Sequence, residues 1–352
     1  MGTEPTSEQR ALIVGLGNVA KAWLPYLRTG PGVDVVGVVD PRTDVAVRTL
    51  ERFGLQVKVE ASLMEALNSL RPDVVINLTP PAAHLEVVRA ALDFGCHVFT
   101  EKPLALSMAD AVALASLAEE SSLVLAVMQN RRFVPQIRRL REEITAGALG
   151  KLTVLSSDMW MAPKHNNTYL AGLEHPLLFD MSVHSFDQAR FLSGSDAARV
   201  SAYEYNPDNS WYRGNAAAIC TFEMHSGAVF SYRGNWVAPG FATGYDSQWR
   251  VVGTDGTAIW DSWGPAFVQT ALEAAPGDVQ PARGRPLVVG SGPTGHEACA
   301  TDMFSALREG RQPETSARDN LNTLAMVIAA QLSAGQRRWV EMEEVLSAAG
   351  CH

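Results

Sequence analysis

The chain has 352 residues, 47% of them hydrophobic, which is enough to bury two cores and predicts two globular domains. Lys and Arg number 29 against 38 Asp and Glu, and the net charge of −9 argues against nucleic acid or an anionic membrane surface as a partner. The sequence contains no membrane-length apolar run and no signal-peptide core, which favours a cytoplasmic location. The four cysteines lack metal-ligand spacing, so we expect reduced thiols and no metal site.

The stretch "RALIVGLGNVAKAWLPYL" has the pattern of a strand, a glycine turn and a helix. Gly15 permits a tight turn, Gly17 lets the backbone approach a pyrophosphate, and Ala20 keeps the helix close to the strand. Asn18 and Val19 open the helix, whose first N–H groups would face the anion. The turn therefore predicts a dinucleotide site.

A second apolar strand, "VDVVGVVD", ends at Asp40. An acidic residue at this distance beyond the glycines can accept hydrogen bonds from the ribose hydroxyls of the adenosine. This favours NAD, because Asp40 would repel the 2′-phosphate of NADP. Arg42 could instead pair with such a phosphate, so NADP is the less favoured alternative.

Strand and helix patterns continue to alternate, which predicts an α/β fold with a doubly wound parallel (Rossmann) sheet over residues 11–130, after ten disordered residues at 1–10. Ligands of such sheets bind beyond the carboxyl ends of the strands, which here carry "TPPAAH", "EKP" and "QNRRF". From these loops we expect cofactor contacts by Thr79, Pro80, His84, Glu101, Lys102 and Gln129. Lys102 lies between a strand and a stiffening proline, which aims its ammonium over the crevice.

The pattern becomes rich in strands in the second part of the chain, which predicts an α+β domain over residues 131–352 with a large open, mostly antiparallel sheet. The predicted strands cover residues 151–160, 198–206, 216–224, 227–237, 248–253 and 257–260. The basic run "RRFVPQIRRLR" predicts a helix from about Pro135 with a solvated, salt-bridged face.

The segment "LLFDMSVHSFDQARFLSG" predicts a helix with Asp180, His184 and Asp187 in one sector and apolar residues opposite. A solvated polar face, a metal pair and a proton-handling site all fit this spacing. No third ligand at a telling position supports a metal, and a nearby nicotinamide would favour proton handling. Asp187 has a further interpretation as a cap or as the ion-pair partner of an arginine.

The chain resembles the Gfo/Idh/MocA oxidoreductases, the glucose-fructose oxidoreductase and inositol dehydrogenase group, in "GLGNVA", "TPPAAH", "EKP" and the Asp-x-x-x-His of Asp180 and His184. The resemblance implies that Lys102, Asp180 and His184 surround the reactive carbon of the substrate. It also implies that the open sheet joins subunits, as a homodimer or homotetramer. One departure is "HPLLFDMSVH", where many members have a glycine-rich stretch before the aspartate and a glycine after it, so we expect a different pocket wall.

Side chains suited to a polyhydroxylated ring gather in "WMAPKHNNTYLAG" and nearby segments. The expected substrate contacts are Arg131, Trp160, His165, Asn167, Tyr169 and Trp236. The sequence thus predicts an NAD-dependent dehydrogenase or ketoreductase of a sugar, inositol or sugar derivative. Two alternatives remain: a reductase of a non-sugar carbonyl, and a non-catalytic dinucleotide-binding regulatory protein of the same fold.

Overall fold

The computed structural model describes residues 8–163, 168–271 and 284–351. The chain divides into two compact units, the first comprising residues 1–130 and 292–321 and the second residues 131–291 and 322–352. The boundary after residue 130 coincides with the expected one. Residues 292–321 differ from the expectation, because they join the first unit although the sequence pattern assigned everything from residue 131 to the second.

Within its described residues, the first unit contains a parallel sheet of six strands in the order β3-β2-β1-β4-β5-β6. The strands are β1 (Gln9–Val14), β2 (Val33–Val39), β3 (Lys58–Glu60), β4 (Val74–Asn77), β5 (His97–Thr100) and β6 (Leu125–Val127). This order is that of the doubly wound dinucleotide-binding fold, so the predicted fold class of this unit is confirmed.

The expected disorder at residues 1–10 is wrong at its end, since Gln9 and Arg10 begin β1 and pair with Val33 and Asp34. Arg10 is fixed further by its backbone N–H, which donates to Oδ2 of Asp73 at 2.9 Å. Residues 1–7 lie outside the described part of the chain.

The described part of the chain contains eleven α-helices, two of which begin at a serine cap. They are α1 (Ala20–Thr29), α2 (Thr43–Phe53), α3 (Leu63–Leu70), α4 (His84–Phe94), α5 (Met108–Glu120), α6 (Pro135–Thr145), α7 (Thr168–Gly172), α8 (Val183–Ser193), α9 (Gly295–Glu309), α10 (Ala317–Gln336) and α11 (Met342–Ala348). Ser62 caps α3 and Ser107 caps α5, because each hydroxyl accepts the N–H three residues on. In the described part of the chain, no helix combines the length and apolar character needed to cross a bilayer.

The second unit has a nine-stranded sheet within its described residues, in the order β14-β13-β12-β11-β7-β10-β9-β8-β15. The strands are β7 (Leu152–Trp160), β8 (Ala197–Tyr205), β9 (Ala217–Met224), β10 (Val229–Asn235), β11 (Gln248–Gly253), β12 (Gly256–Trp260), β13 (Phe267–Thr270), β14 (Arg285–Pro286) and β15 (Val340–Glu341). All six predicted strands are present. Among the described pairs only β7 and β10 run parallel, so the sheet is mostly antiparallel as expected.

Helix α8 is buried against this sheet on nearly all of its sides. The ring of Phe186 lies 4.8 Å from that of Phe222 and 5.3 Å from that of Tyr232, both edge to face. Ser185 and Gln188 are buried as well, together with His184 and Asp187, whereas Asp180 in the turn before α8 is half-buried. A solvated polar face is therefore excluded for α8, and its polar side chains make their contacts inside the unit.

The expectation of a solvated face for the basic run holds only in part. Helix α6 begins at Pro135, and Arg139 pairs with Glu142 at 3.0 Å near the surface. Arg132, by contrast, is buried and bonded to a carboxylate of α8. The guanidinium of Arg138 lies over an aromatic ring, 4.2 Å from the centre of Phe133. Sequence patterning could not separate these roles, because each depends on a partner elsewhere in the fold.

Candidate active site

The glycine turn after β1 leaves room for an anion. Gly15 has φ +91°, and a Cβ there would approach the backbone of Leu78 and Thr79 to 3.0 Å, so only glycine fits. A Cβ added to Gly17 would meet no described atom within 4 Å. This open position lies in the turn that leads into α1, and the start of a helix at this place in the fold suits a pyrophosphate. The residues present therefore fit the phosphates of a dinucleotide.

Asp40 forms a fixed carboxylate at the end of β2. Its Oδ2 accepts the backbone N–H of Leu16, and its Oδ1 accepts that of Arg42, both at 2.9 Å. Burial raises the pKa of Asp40, but these hydrogen bonds and the Arg42 guanidinium outweigh it and hold the pKa below its ordinary value. An ionised acceptor at this strand end fits the ribose diol of NAD, while the Arg42 side chain is 63% exposed.

His84 joins the two loops expected to line the crevice. Its Nδ1 lies 2.7 Å from the carbonyl oxygen of Pro103, and its Nε2 lies 3.0 Å from that of Thr79. Burial lowers the pKa of His84, the two carbonyls raise it, and the charge of Lys102 lowers it further. Both ring nitrogens thus face protein atoms, and His84 is fully buried. A cofactor contact by His84 stays a prediction, whereas its link between the loops is observed.

Glu101 of the EKP segment is held from two sides of the first unit. Its Oε1 accepts the indole N–H of Trp23 at 2.7 Å, and Nε2 of His296 lies 4.0 Å from the same oxygen. The other ring nitrogen of His296 lies 3.1 Å from Nδ2 of Asn130. His296 was missed by sequence reasoning because it lies on α9, far along the chain from the motifs. Gln129, a further predicted cofactor residue, is 1% exposed.

Asp180 and His184 lie on consecutive turns of one helical segment, as the spacing predicted. Asp180 occupies a π-helical turn, Leu178–Ser182, and His184 is in the first turn of α8. The hydroxyl of Ser182 donates to the carbonyl of Leu177 at 3.2 Å, which stabilises the widened turn. Such π-turns are frequent at functional sites. His184 is 5% exposed, so its imidazole lies in a largely dry environment.

The negative charge of Asp180 contributes to raised pKa values of two tyrosines. Burial raises the pKa of Tyr169, and Asp180 raises it further. Burial raises the pKa of Tyr212 to about 12, again with a contribution from Asp180. The ring of Tyr212 stacks on Trp236 at 5.4 Å between centroids. Sequence reasoning missed Tyr212, for which the only local signal is the aromatic pair "WY" in a loop.

Arg131 is anchored inside the second unit. Its Nη1 donates to Oδ1 of Asp246 at 2.9 Å, and its guanidinium lies 5.4 Å from the ring centre of Tyr245. Its backbone carbonyl accepts Nε2 of Gln188 on α8 at 3.0 Å. Arg131 therefore belongs to the same unit as Asp180 and His184.

The remaining predicted substrate contacts are distributed unevenly. Trp236 is 1% exposed and packs in the core, which leaves it almost no surface for a ligand. Trp160 alternates along β7 with the buried Met159, and so lies on the sheet face opposite to α8. His165 and Asn167 lie outside the described residues, as do their neighbours Lys164 and Asn166. Substrate contacts by Trp160, His165, Asn167 and Trp236 stay predictions.

Asp187, on the same helix as His184, forms an ion pair with the buried Arg132. Its interpretation as the ion-pair partner of an arginine is thereby confirmed.

Among the residues that the structure describes, no group of three His, Cys, Asp or Glu side chains could hold a metal ion. Lys102 belongs to the first unit, and Asp180 and His184 belong to the second.

A doubly wound parallel sheet, a glycine turn with room for a pyrophosphate and an ionised carboxylate after the second strand define a dinucleotide-binding protein. The model of the oxidoreductase family with an NAD-binding Rossmann fold matches residues 9–129. The model of the GFO/IDH/MocA C-terminal domain matches residues 137–259. The chain therefore belongs to the GFO/IDH/MocA family of NAD-binding oxidoreductases, as its motifs indicated.

The chain is 30% identical to the rhizopine catabolism protein MocA of Rhizobium meliloti over 312 residues, which cover 84% of this chain and 90% of that protein. It is 28% identical to the scyllo-inositol 2-dehydrogenase (NAD(+)) of Bacillus subtilis over 255 residues, or 70% and 72% of the two chains. Its fold is similar to that of an oxidoreductase from Agrobacterium radiobacter solved in complex with NAD+, L-tartaric acid and magnesium. That comparison has a TM-score of 0.85 at 21% identity and covers 96% of this chain and 99% of the other.

Proposed function

We propose that the protein is an NAD-dependent dehydrogenase that transfers a hydride between the nicotinamide and a carbinol carbon of a sugar, inositol or related polyol. The observation that carries the proposal is that Asp180 and a nearly buried His184 lie on consecutive turns of one helical segment. The relative from Bacillus subtilis, an inositol dehydrogenase that uses NAD, supports the substrate class.

The first unit would hold the cofactor through the glycine turn and Asp40. Gly17 and the start of α1 would receive the pyrophosphate, and Asp40 would accept the ribose hydroxyls. Bound NAD supplies the hydride acceptor for alcohol oxidation. Thr79 and Pro80 lie between β4 and α4, in the loop that His84 ties to the EKP segment, so this loop would form one wall of the same site.

The proton of the substrate hydroxyl must leave as the alcohol is oxidised. We assign its removal to His184, since imidazole is the side chain that ordinarily titrates near neutral pH. Lys102 would hydrogen-bond the same oxygen and stabilise the negative charge that develops on it. Asp180 would orient the imidazole or a neighbouring substrate hydroxyl. These three roles fit a carbinol better than a conjugated, non-sugar carbonyl.

Polar and aromatic groups of the second unit suit a polyhydroxylated ring. Tyr169 is 37% exposed and offers both an apolar face and a hydroxyl, while Arg131 adds a guanidinium held in place by Asp246. Sugars present apolar C–H faces and ring hydroxyls together, so such a mixture can bind both. We therefore propose Tyr169 and Arg131 as substrate contacts, while Tyr212, which is 4% exposed, packs on Trp236 in the interior.

The open sheet would join subunits in a homodimer or homotetramer. Its face opposite to α8 exposes large apolar side chains, including Val154 at 36%, Tyr203 at 56% and Ile219 at 46%. Large apolar side chains exposed on one face of a sheet are a reason to expect a partner there. The oligomeric state can be measured by light scattering coupled to size-exclusion chromatography. A cytoplasmic location stays a prediction.

The proposal is tested by following NADH absorbance with NAD, and separately NADP, across inositols, aldoses, sugar acids and glycosides. We expect turnover with NAD, and losses of about 10²- to 10⁴-fold in kcat for Lys102→Ala and His184→Ala with NADH binding retained. His225→Ala, on the exposed turn between β9 and β10, serves as a control with wild-type activity. NADH binding without turnover of any substrate would instead support the non-catalytic regulatory alternative.

A further inference from the structure

A histidine and a glutamate fasten the start of the catalytic helix to the sheet. His175 directly precedes the helical run that begins at residue 176, and its carbonyl accepts the N–H of Phe179 at 3.0 Å. Its ring Nδ1 lies 2.7 Å from Oε2 of Glu204 on β8. The side chain of His175 therefore connects the first helical turn before Asp180 to a strand of the sheet.

Glu204 is a buried carboxyl group on a strand with few hydrogen bonds of its own. It lies opposite Ala218 in the pairing of β8 with β9, and its side chain is 1% exposed. Its Oε1 has no hydrogen-bond partner in the part of the chain that the structure describes. A buried carboxyl group with so few bonds relies on the one it has, because the lost hydration is not otherwise replaced. The contact with His175 therefore has a large influence on where the helix begins.

The electrostatics of the pair favour a retained proton. The hydrogen bond to Glu204 raises the pKa of His175 above its ordinary value, although burial opposes this effect. Burial raises the pKa of Glu204, which His175 lowers in turn. Glu174 raises both pKa values, and Glu204 raises that of Cys220, which is fully buried on β9. A proton thus resides on the pair at pH values where an isolated imidazole would lose it.

His175 belongs to "HPLLFDMSVH", the segment in which this chain departs from the glycine-rich stretch of related sequences. We propose that His175 and Glu204 are positioning residues that fix the first turn of the helix and thereby hold Asp180 and His184 in the orientation required for proton transfer. This inference rests on the proposed dehydrogenase function. Neither residue is assigned a contact with the substrate or the cofactor.

The test uses the full chain and begins with the substrate and NAD turnover of the wild type. His175→Ala, Glu204→Ala and the double variant remove the contact, and Glu204→Gln keeps an acceptor for Nδ1–H but removes the charge. His225→Ala, an exposed histidine on the β9–β10 turn, is the matched control. For each protein we would measure kcat and KM, NADH binding, amide hydrogen exchange over residues 176–184, and the imidazole titration of His175 by NMR.

We expect His175→Ala and Glu204→Ala to lower kcat about ten- to a hundredfold with NADH binding unchanged, since small displacements of reacting groups have effects of this size. The double variant should match either single one, because the two residues share one interaction. Amide exchange over residues 176–184 should accelerate in all three. Glu204→Gln should recover most of kcat and lower the titration midpoint of His175.

Wild-type kcat and exchange rates in His175→Ala and Glu204→Ala would overturn the positioning role while leaving the dehydrogenase function intact. Additive losses in the double variant would also overturn it, since they would show that the residues act separately. If the wild type turns over no substrate, the proposed function fails, and hydrogen exchange and NMR still report whether the pair anchors the helix. An unchanged exchange pattern would then reject the anchor itself.

Discussion

Arg132 and Asp187 form a bidentate ion pair in the interior of the second unit. Nε of Arg132 donates to Oδ2 at 2.8 Å and Nη2 donates to Oδ1 at 2.5 Å, with side-chain exposures of 6% and 1%. The hydroxyl of Thr323 on α10 donates to the same Oδ1 at 3.1 Å, and Arg190 donates to Thr323 at 2.9 Å. The pair thus fixes α8 one turn beyond His184.

Asp187→Ala should lower the free energy of unfolding by about 3–5 kcal/mol, because it leaves the Arg132 guanidinium buried without its carboxylate. Urea denaturation followed by circular dichroism measures this change. The matched control is Asp44→Ala, which removes a surface pair with Arg48 and should leave the unfolding midpoint unchanged. Equal effects of the two variants would show that burial of the Arg132–Asp187 pair is energetically unimportant.

The two glycines of the turn should respond differently to alanine. Gly17→Ala adds a methyl group where the protein leaves space, so stability should be retained while NADH affinity falls about tenfold or more. Gly15→Ala should lower both stability and affinity, because φ is +91° and the backbone at Thr79 lies 3.0 Å from the new Cβ. Thermal unfolding and NADH fluorescence titration separate these outcomes. Unchanged affinity in Gly17→Ala would place the pyrophosphate elsewhere.

Asp40 and Arg42 should set the preference between the two cofactors. Asp40→Ala removes the carboxylate that would repel a 2′-phosphate, so the ratio of kcat/KM for NAD to that for NADP should fall about ten- to a hundredfold. Adding Arg42→Ala should reverse much of the gain with NADP, because the exposed guanidinium is then lost. An unchanged ratio in Asp40→Ala would show that another residue selects the cofactor.

Local patterns in the sequence were sufficient for the parallel sheet, for six strands of the second sheet and for the helix that carries Asp180 and His184. These features depend on residues close together in the chain, where hydrophobic period and capping chemistry act directly. The contacts of His175 with Glu204 and of His296 with Glu101 could not be predicted, because each joins elements that are distant in sequence. Motifs in the sequence therefore predict the residues of the site, while the contacts that support these residues are visible only in the fold.

His84 should make stability depend on pH. Burial lowers the pKa of His84 in the folded protein below the ordinary value of 6.5, so the unfolded chain binds a proton at pH values where the folded one does not. The free energy of unfolding should therefore decrease as the pH falls from 6.5 through the folded pKa, and it should be fully retained above 6.5. Urea denaturation across this range measures the slope.

His84→Gln should flatten this pH dependence. His97, whose pKa is likewise lowered by burial, should contribute a second part, so His84→Gln combined with His97→Gln should be flatter still. A wild-type slope in His84→Gln would show that His84 is protonated equally in both states.

Residues 292–321 belong to the first unit, so this unit cannot complete its fold during translation until they have been synthesised. Phe304 of α9 packs against Phe99 at 5.1 Å, and Val127 at the end of β6 donates to the carbonyl of Thr315 at 2.9 Å. A nascent chain that ends before α9 therefore lacks part of the core around the dinucleotide site, even though the motifs of that site were translated first. Because the second unit also waits for residues 322–352, neither unit is complete until a late segment has been translated, and truncation after residue 130 would yield an unfinished nucleotide-binding core.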